Sequence, residues 1–139
     1  MKDIGITGTR KGGTSRQLAA LRELLTGLYI EGITLHFGDC IGIDEESTRI
    51  ARPLGYRLQC YPPIHSLYRA YVRADEYEPP LSYAARNAQI VKKSEVLIAC
   101  PLAGSDQTRS GTWQTIGIAT SLGKPVIYIF SNGRVIREP

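Results

Sequence analysis

The chain reads as an α/β protein, a Rossmann-like three-layer sandwich around a five-stranded, mostly parallel sheet. Two observations predict this. Short apolar runs of strand length alternate with longer amphipathic runs of helix length. The glycine-rich and charged clusters also fall just after the apolar runs, where such sheets bind ligands.

In chain order, Asp3–Thr7 is a strand, and Thr14–Ile30 a helix with Leu18, Leu21, Leu25 and Leu28 on one face. Thr14 or Ser15 suits its N-cap. Ile33–Phe37 is a second strand, Asp44–Leu54 a second helix stopped before Gly55, and Tyr56–Cys60 a third strand ending at Pro62-Pro63. Regularity then lapses over 62–83 and returns with a helix at Tyr83–Lys93 and a strand at Glu95–Cys100. A loop at Pro101–Arg109, a helix at Ser110–Leu122 and a strand at Pro125–Phe130 complete the series. The expectation is one domain over 1–139 with an irregular insertion at about 62–83.

At 139 residues, a chain with 42% hydrophobic and 22% charged residues has the composition of a globular domain rather than a disordered or fibrous one. No apolar run approaches the roughly 18 residues of a membrane span, and the start lacks a signal-peptide pattern. Cys40, Cys60 and Cys100 form no CxxC pair, and an odd count suits a reducing compartment. A cytoplasmic location with no membrane partner is therefore expected. Neither His36 nor His65 stands at ligand spacing from the cysteines, so no metal site is expected.

Residues 1–78 carry ten basic and ten acidic side chains, whereas 79–139 carry seven and three, which accounts for the whole net charge of +4. This asymmetry favours a phosphate-bearing partner over an acidic protein. It is too mild to indicate nucleic acid by itself.

After the first strand comes Gly8-Thr9-Arg10-Lys11-Gly12-Gly13-Thr14, a glycine-rich turn feeding a helix. Its N–H groups and the helix dipole suit an anion, although a plain tight turn has the same composition. Neither the P-loop nor the dinucleotide fingerprint fits. After the second strand comes Gly38-Asp39-Cys40-Ile41-Gly42-Ile43-Asp44. Asp44 is placed to cap the following helix or to serve a ligand. Asp39 has no evident structural role, and a ribose hydroxyl or a metal-bound water would suit it. Glu45 and Glu46 suit the helix dipole.

Arg86 can fork onto a phosphate or pair with Asp39 or Asp44, and Asn87 can bond a base or a neighbouring loop. Lys92 and Lys93 read as a solvated helix end. Ser110-Gly111-Thr112 opens a helix with hydroxyls and free N–H groups together, a second phosphate cradle. Trp113 can stack on a base or pack on the sheet. Five tyrosines across Tyr61–Tyr83, interleaved with Arg69 and Arg73, fit a lid, a platform for single-strand stacking or an oligomer contact.

Taken together, Gly5-Ile6-Thr7-Gly8-Thr9-Arg10, Gly38–Asp44, Tyr61-Pro62, Arg86-Asn87 and Ser110-Gly111-Thr112 resemble the ordered landmarks of the SLOG superfamily. That superfamily includes the Lonely Guy phosphoribohydrolases, the core of DNA-processing protein A and small stand-alone proteins of unassigned function, which this chain is nearest to. The resemblance spans residues 4–130. It implies a phosphate-binding face built from Gly8, Thr9, Arg10, Gly38, Arg86, Asn87 and Ser110–Thr112, with Asp39 and Asp44 holding ribose.

The implied function is binding of a nucleotide or nucleotide-derived small molecule, in a sensing, sequestering or processing role. Lonely Guy enzymes hydrolyse the base–ribose bond with a Pro-Gly-Gly-x-Gly-Thr-x-x-Glu motif. In this chain Thr115 stands at the Glu position and the paired glycine is missing, so a nucleotide N-glycoside hydrolase would need Asp39 or Asp44 as its acid. DNA-processing protein A binds single strands, which makes a single-stranded nucleic-acid binder the other alternative. The resemblance implies no required cofactor, compatibility with magnesium, and a homodimer or higher oligomer.

Overall fold

A computed structural model describes residues 1–102 and 110–139. The expected loop at Pro101–Arg109 therefore lies mostly outside the described residues. The elements run β1 (Asp3–Gly8), α1 (Ser15–Leu28), β2 (Thr34–Phe37), α2 (Ile43–Leu54), β3 (Arg57–Cys60), β4 (Glu76–Tyr77), α3 (Tyr83–Lys93), β5 (Val96–Cys100), α4 (Gly111–Ser121), β6 (Val126–Ile129) and β7 (Val135–Glu138).

They build one sheet in the order β4-β3-β2-β1-β5-β6-β7, parallel except for the antiparallel β6–β7 pair. The α/β, Rossmann-like class is as expected, but the sheet has seven strands rather than five. Both additions escape a periodicity reading for physical reasons. β4 is two exposed residues that pair with Gln59 and Cys60, too short to show alternation. β7 is a charged edge whose partner is set by the turn at Ser131–Arg134. The irregular stretch thus contributes an edge strand, and isolated bridges join Cys40 to Arg69 and Pro63 to Leu81.

The central strands are apolar on both faces because helices cover both sides. All five residues of β5 are buried, as are Ile4 and Ile6 of β1 and Leu35 and Phe37 of β2. Leu21 and Leu25 of α1 and Ile43, Ile50 and Ala51 of α2 pack on one side. On the other, Val91 of α3 and Ile116 and Ala119 of α4 meet Leu97, Ala99, Val126 and Tyr128. Each fully buried aliphatic side chain contributes about 1.5–3 kcal/mol. Trp113 belongs to this second cluster, 6.1 Å from Tyr128 between ring centroids, so it packs on the sheet.

Local signals set the helix ends. Thr14 caps α1 through a reciprocal pair with Gln17, and Gly55 ends α2 in the left-handed conformation. α2 is not capped by Asp44: its N-cap is Gly42, with no side-chain bond. Under α3, His36 bridges the Tyr61 hydroxyl at 2.7 Å and Asp3 at 2.8 Å, and burial holds the His36 imidazole below its ordinary pKa. That chain of side chains fixes the exit of β3, which carries a carbonyl used in the site.

Candidate functional site

The carboxyl ends of β1, β2 and β5 meet the start of α4 around a cleft of about 380 Å³. This volume is within the range of small-ligand sites. Gly8, Thr9, Arg10, Gly38, Asp44, Arg86, Asn87, Ser110, Gly111 and Thr112 all line it. Ten of the eleven side chains singled out from the sequence are thereby brought to one place, and Asp39 is the exception.

The turn after β1 is less open to an anion than its glycines suggest. The amides of Thr9, Lys11, Gly12 and Gly13 already donate, to the Cys100 carbonyl, the Thr9 hydroxyl, the Thr9 carbonyl and the Glu46 carboxylate respectively. Gly8 is needed for packing, because a Cβ there would overlap Ile43. Gly42, at φ +88°, lets α2 approach so closely that a Cβ would overlap the Thr9 carbonyl and Arg10. Glu46, expected only to suit the dipole, braces the turn at 2.8 Å. The turn is a rigid mount that presents two side chains, Arg10 and Lys11, to the cleft.

Neither cation has a carboxylate partner among the described residues; Arg10 instead lies over the Tyr68 ring, 3.8 Å from its centroid. Across the cleft, Ser110 caps α4 by accepting from the Trp113 amide at 3.3 Å. The Gly111 and Thr112 amides are the first-turn donors that no helix carbonyl can reach. Among the described residues neither has a partner, and the space about Gly111 is open. Gly111 and Thr112 of α4 and the two cations thus line the same cleft, the amides without an acceptor and the cations without a carboxylate among the described residues.

Arg86 is 5% exposed and works mainly as an internal strut. Its Nε donates to Asn87 Oδ1 at 2.7 Å, and one terminal nitrogen donates to the Tyr61 carbonyl at 3.2 Å and to the Gly38 carbonyl. Gly38 is required here, since a Cβ would run into the guanidinium. What Arg86 offers the cleft is chiefly positive charge rather than an open fork.

The two aspartates have different surroundings. Asp39 is fully buried with φ +61°, a conformation that Asp tolerates better than most side chains. Its Oδ2 accepts from Arg69 Nε and its Oδ1 from the Val72 amide, each at 2.8 Å, so its lone pairs serve the 66–72 loop. The sequence suggests ribose or a metal-bound water as a partner for Asp39; the structure places it outside the cleft lining. Asp44, 7% exposed, does line the cleft and accepts from the Cys40 amide at 3.1 Å. Burial pushes its carboxyl up to about 6, against the pull of Arg86. The Cys40 thiol is pushed up to about 11, also by burial, and is no nucleophile at neutral pH. Thr115 donates to the Gly111 carbonyl at 2.8 Å, so it supplies no substitute for a catalytic carboxylate.

No group of three or more metal-ligating side chains occurs among the described residues, and no helix there is long and apolar enough to cross a membrane. All three cysteines are free.

No protein-family model matches the sequence, and no curated protein is similar enough to match it. Solved structures do match. A molybdenum cofactor binding protein from the phototrophic bacterium Rippkaea orientalis is 25% identical over 94% of this chain and 77% of its own, with a TM-score of 0.70. The molybdenum cofactor carrier protein of Chlamydomonas reinhardtii is 22% identical over 92% of this chain and 76% of its own, with a TM-score of 0.66. DNA processing protein A from Streptococcus pneumoniae is 18% identical over 92% of this chain, with a TM-score of 0.66. The chain spans only 50% of that last protein's length. With these neighbours and the ordered landmarks of its sequence, the chain has the Rossmann-like fold of the SLOG superfamily.

Proposed function

We propose that the cleft binds a nucleotide or nucleotide-derived small molecule, phosphate outermost. The observation that carries this reading is that the Gly111 and Thr112 amides, unbonded among the described residues, line one cleft with Arg10 and Lys11. Such a lining favours an anion through the helix dipole and direct charge. Buried Ile6 and Ile90 and exposed Leu102 and Tyr83 supply apolar lining for a ring. Asp44, Asn87 and Arg86 form a polar floor. The structural neighbours support a ligand-binding role in general: they include molybdenum cofactor binding and carrier proteins, and DNA processing protein A from Helicobacter pylori, which binds single-stranded DNA.

Asp44 also supports a second reading, hydrolysis of the base–ribose bond. Among the described residues it is the only carboxylate lining the cleft, and its raised pKa suits an acid. Glycoside hydrolysis ordinarily uses two carboxyl groups, which favours binding without turnover. Single-strand binding is the weaker reading. Arg69 is engaged with Asp39, and the Tyr77 hydroxyl is bonded to Val72 and Ala74.

Proton NMR of mono-, di-, tri- and cyclic nucleotides, a molybdenum cofactor preparation and a short oligonucleotide, each with and without magnesium, tests these readings. Broadened nucleotide lines without new peaks are expected. New free-base and ribose signals would move the assignment to the hydrolase. Broadening only of the oligonucleotide, with steep salt dependence, would move it to single strands.

A further inference from the structure

The floor of the cleft holds two buried polar side chains, Asp44 and Asn87, each 7% exposed and each with hydrogen-bonding capacity that the protein leaves unused. They are complementary to each other. Asn87 Oδ1 accepts from Arg86 Nε at 2.7 Å, which only the oxygen can do, so the amide NH2 is the remaining end. Among the described residues that NH2 has no partner. Asp44 accepts from the Cys40 amide at 3.1 Å and is also approached by the Gly38 amide, while a carboxylate has room for about four donors. Arg86 is bonded to Asn87 through Nε and its charge acts on Asp44, so the two side chains flank one guanidinium in the cleft lining.

An open donor and an open acceptor in the lining of one cleft are matched by a ligand that satisfies both. The complement is a ring edge with a carbonyl beside an N–H. An amino group next to that N–H would take a further lone pair of the carboxylate. Adenine presents no carbonyl and would set its own acceptor nitrogen against Asp44. Guanine has the matching order.

Building on the reading above that the cleft binds a nucleotide, we infer that its floor selects guanine over the other purines. Asp44 accepts from the ring N–H and the 2-amino group, and the Asn87 NH2 donates to the ring carbonyl. The phosphate then points outward to Arg10, Lys11 and the start of α4. In the free protein the carboxyl of Asp44 is raised to about 6. Binding through this edge therefore weakens as pH falls through that value. If Asp44 instead faced the phosphate, acidification would strengthen binding.

Isothermal titration of the whole chain with GMP, IMP, XMP and AMP at pH 7.5 tests this without any substitution. GMP is expected to bind about 10- to 100-fold tighter than AMP, and IMP, which lacks the 2-amino group, about 10-fold weaker than GMP. Asp44→Asn offers a donor as well as an acceptor and is expected to move the preference from GMP towards XMP. Equal affinities across the four, or a preference for AMP, would overturn the guanine assignment while leaving nucleotide binding in place. An Asp44→Asn chain that still prefers GMP would overturn the role given to Asp44. If none of the four binds, the nucleotide reading fails with the inference.

Discussion

Asp39, just after β2, and Asp44, in the first turn of α2, lie five residues apart, and their surroundings divide the molecule into a braced region and an open one. Asp39 faces the 66–72 loop, where Arg69 and the Val72 amide complete its bonding. Asp44 lines the cleft, with the Cys40 and Gly38 amides as backbone donors and the Arg86 charge nearby. Both are buried carboxylates following a strand, the position where ligands are expected. Their roles differ because the chain supplies a cation bonded directly to one and leaves the other with lone pairs to fill. A functional carboxylate here is recognised by what its neighbours leave undone.

The largest expected effect comes from breaking the braced side. Arg69→Met leaves the Asp39 charge buried without its partner and is expected to cost about 3–5 kcal/mol in urea unfolding. Ligand affinity of the fraction that folds should change little, because neither residue lines the cleft.

The next effect sharpens the open side through its pH dependence. The Asp44 carboxyl sits near 6 when folded, above the 3.8 of an ordinary Asp. The folded chain thus binds this proton more tightly than the unfolded one. Asp44 therefore costs stability progressively as pH rises from about 4 to 6, and the cost persists above that. Asp44→Asn removes it. The variant is expected to unfold about 1–3 kcal/mol later than the parent at pH 7.5 and at nearly the same denaturant concentration at pH 3.5. Taking the difference between the two chains cancels the opposite trend from His36, whose depressed pKa withdraws stability as pH falls below about 6.5. A difference that grew on acidification would contradict the account.

A smaller effect belongs to the mouth. Arg10→Ala should weaken nucleotide binding about 10-fold by titration calorimetry, and the loss should shrink as salt rises. Its stability should barely change, since Arg10 lies over the Tyr68 ring rather than in a bonded network. Least of all, Glu45→Ala breaks an exposed pair with Arg49 at 3.0 Å and should cost about 0.3–0.5 kcal/mol.

These differences also show what a sequence can reveal. Strands after which glycine and charge cluster, the Thr14 cap, the helix start near Ser110 and the stop at Gly55 are all local, and they appear where the residues place them. The cleft lining was likewise legible, because the ends of parallel strands necessarily converge. What escaped depends on partners far along the chain. Asp39 finds Arg69 thirty residues on, Glu46 braces Gly13 thirty-three residues back, and Asp3, His36 and Tyr61 meet from three strand ends. β4 escaped because two residues carry no period. The glycines at 8, 38 and 42 were visible as a cluster, yet their reason is close packing by Ile43, Arg86 and the Thr9–Arg10 peptide.

Amide chemical-shift mapping of the full chain during titration with GMP tests the central claim most directly. The account predicts that the Gly111 and Thr112 amides shift together with Arg10, Lys11 and the Asn87 side-chain NH2, while Asp39 and the 66–72 loop stay still. Shifts confined to the tyrosine-bearing stretch, or to the α1–β7 face, would contradict it.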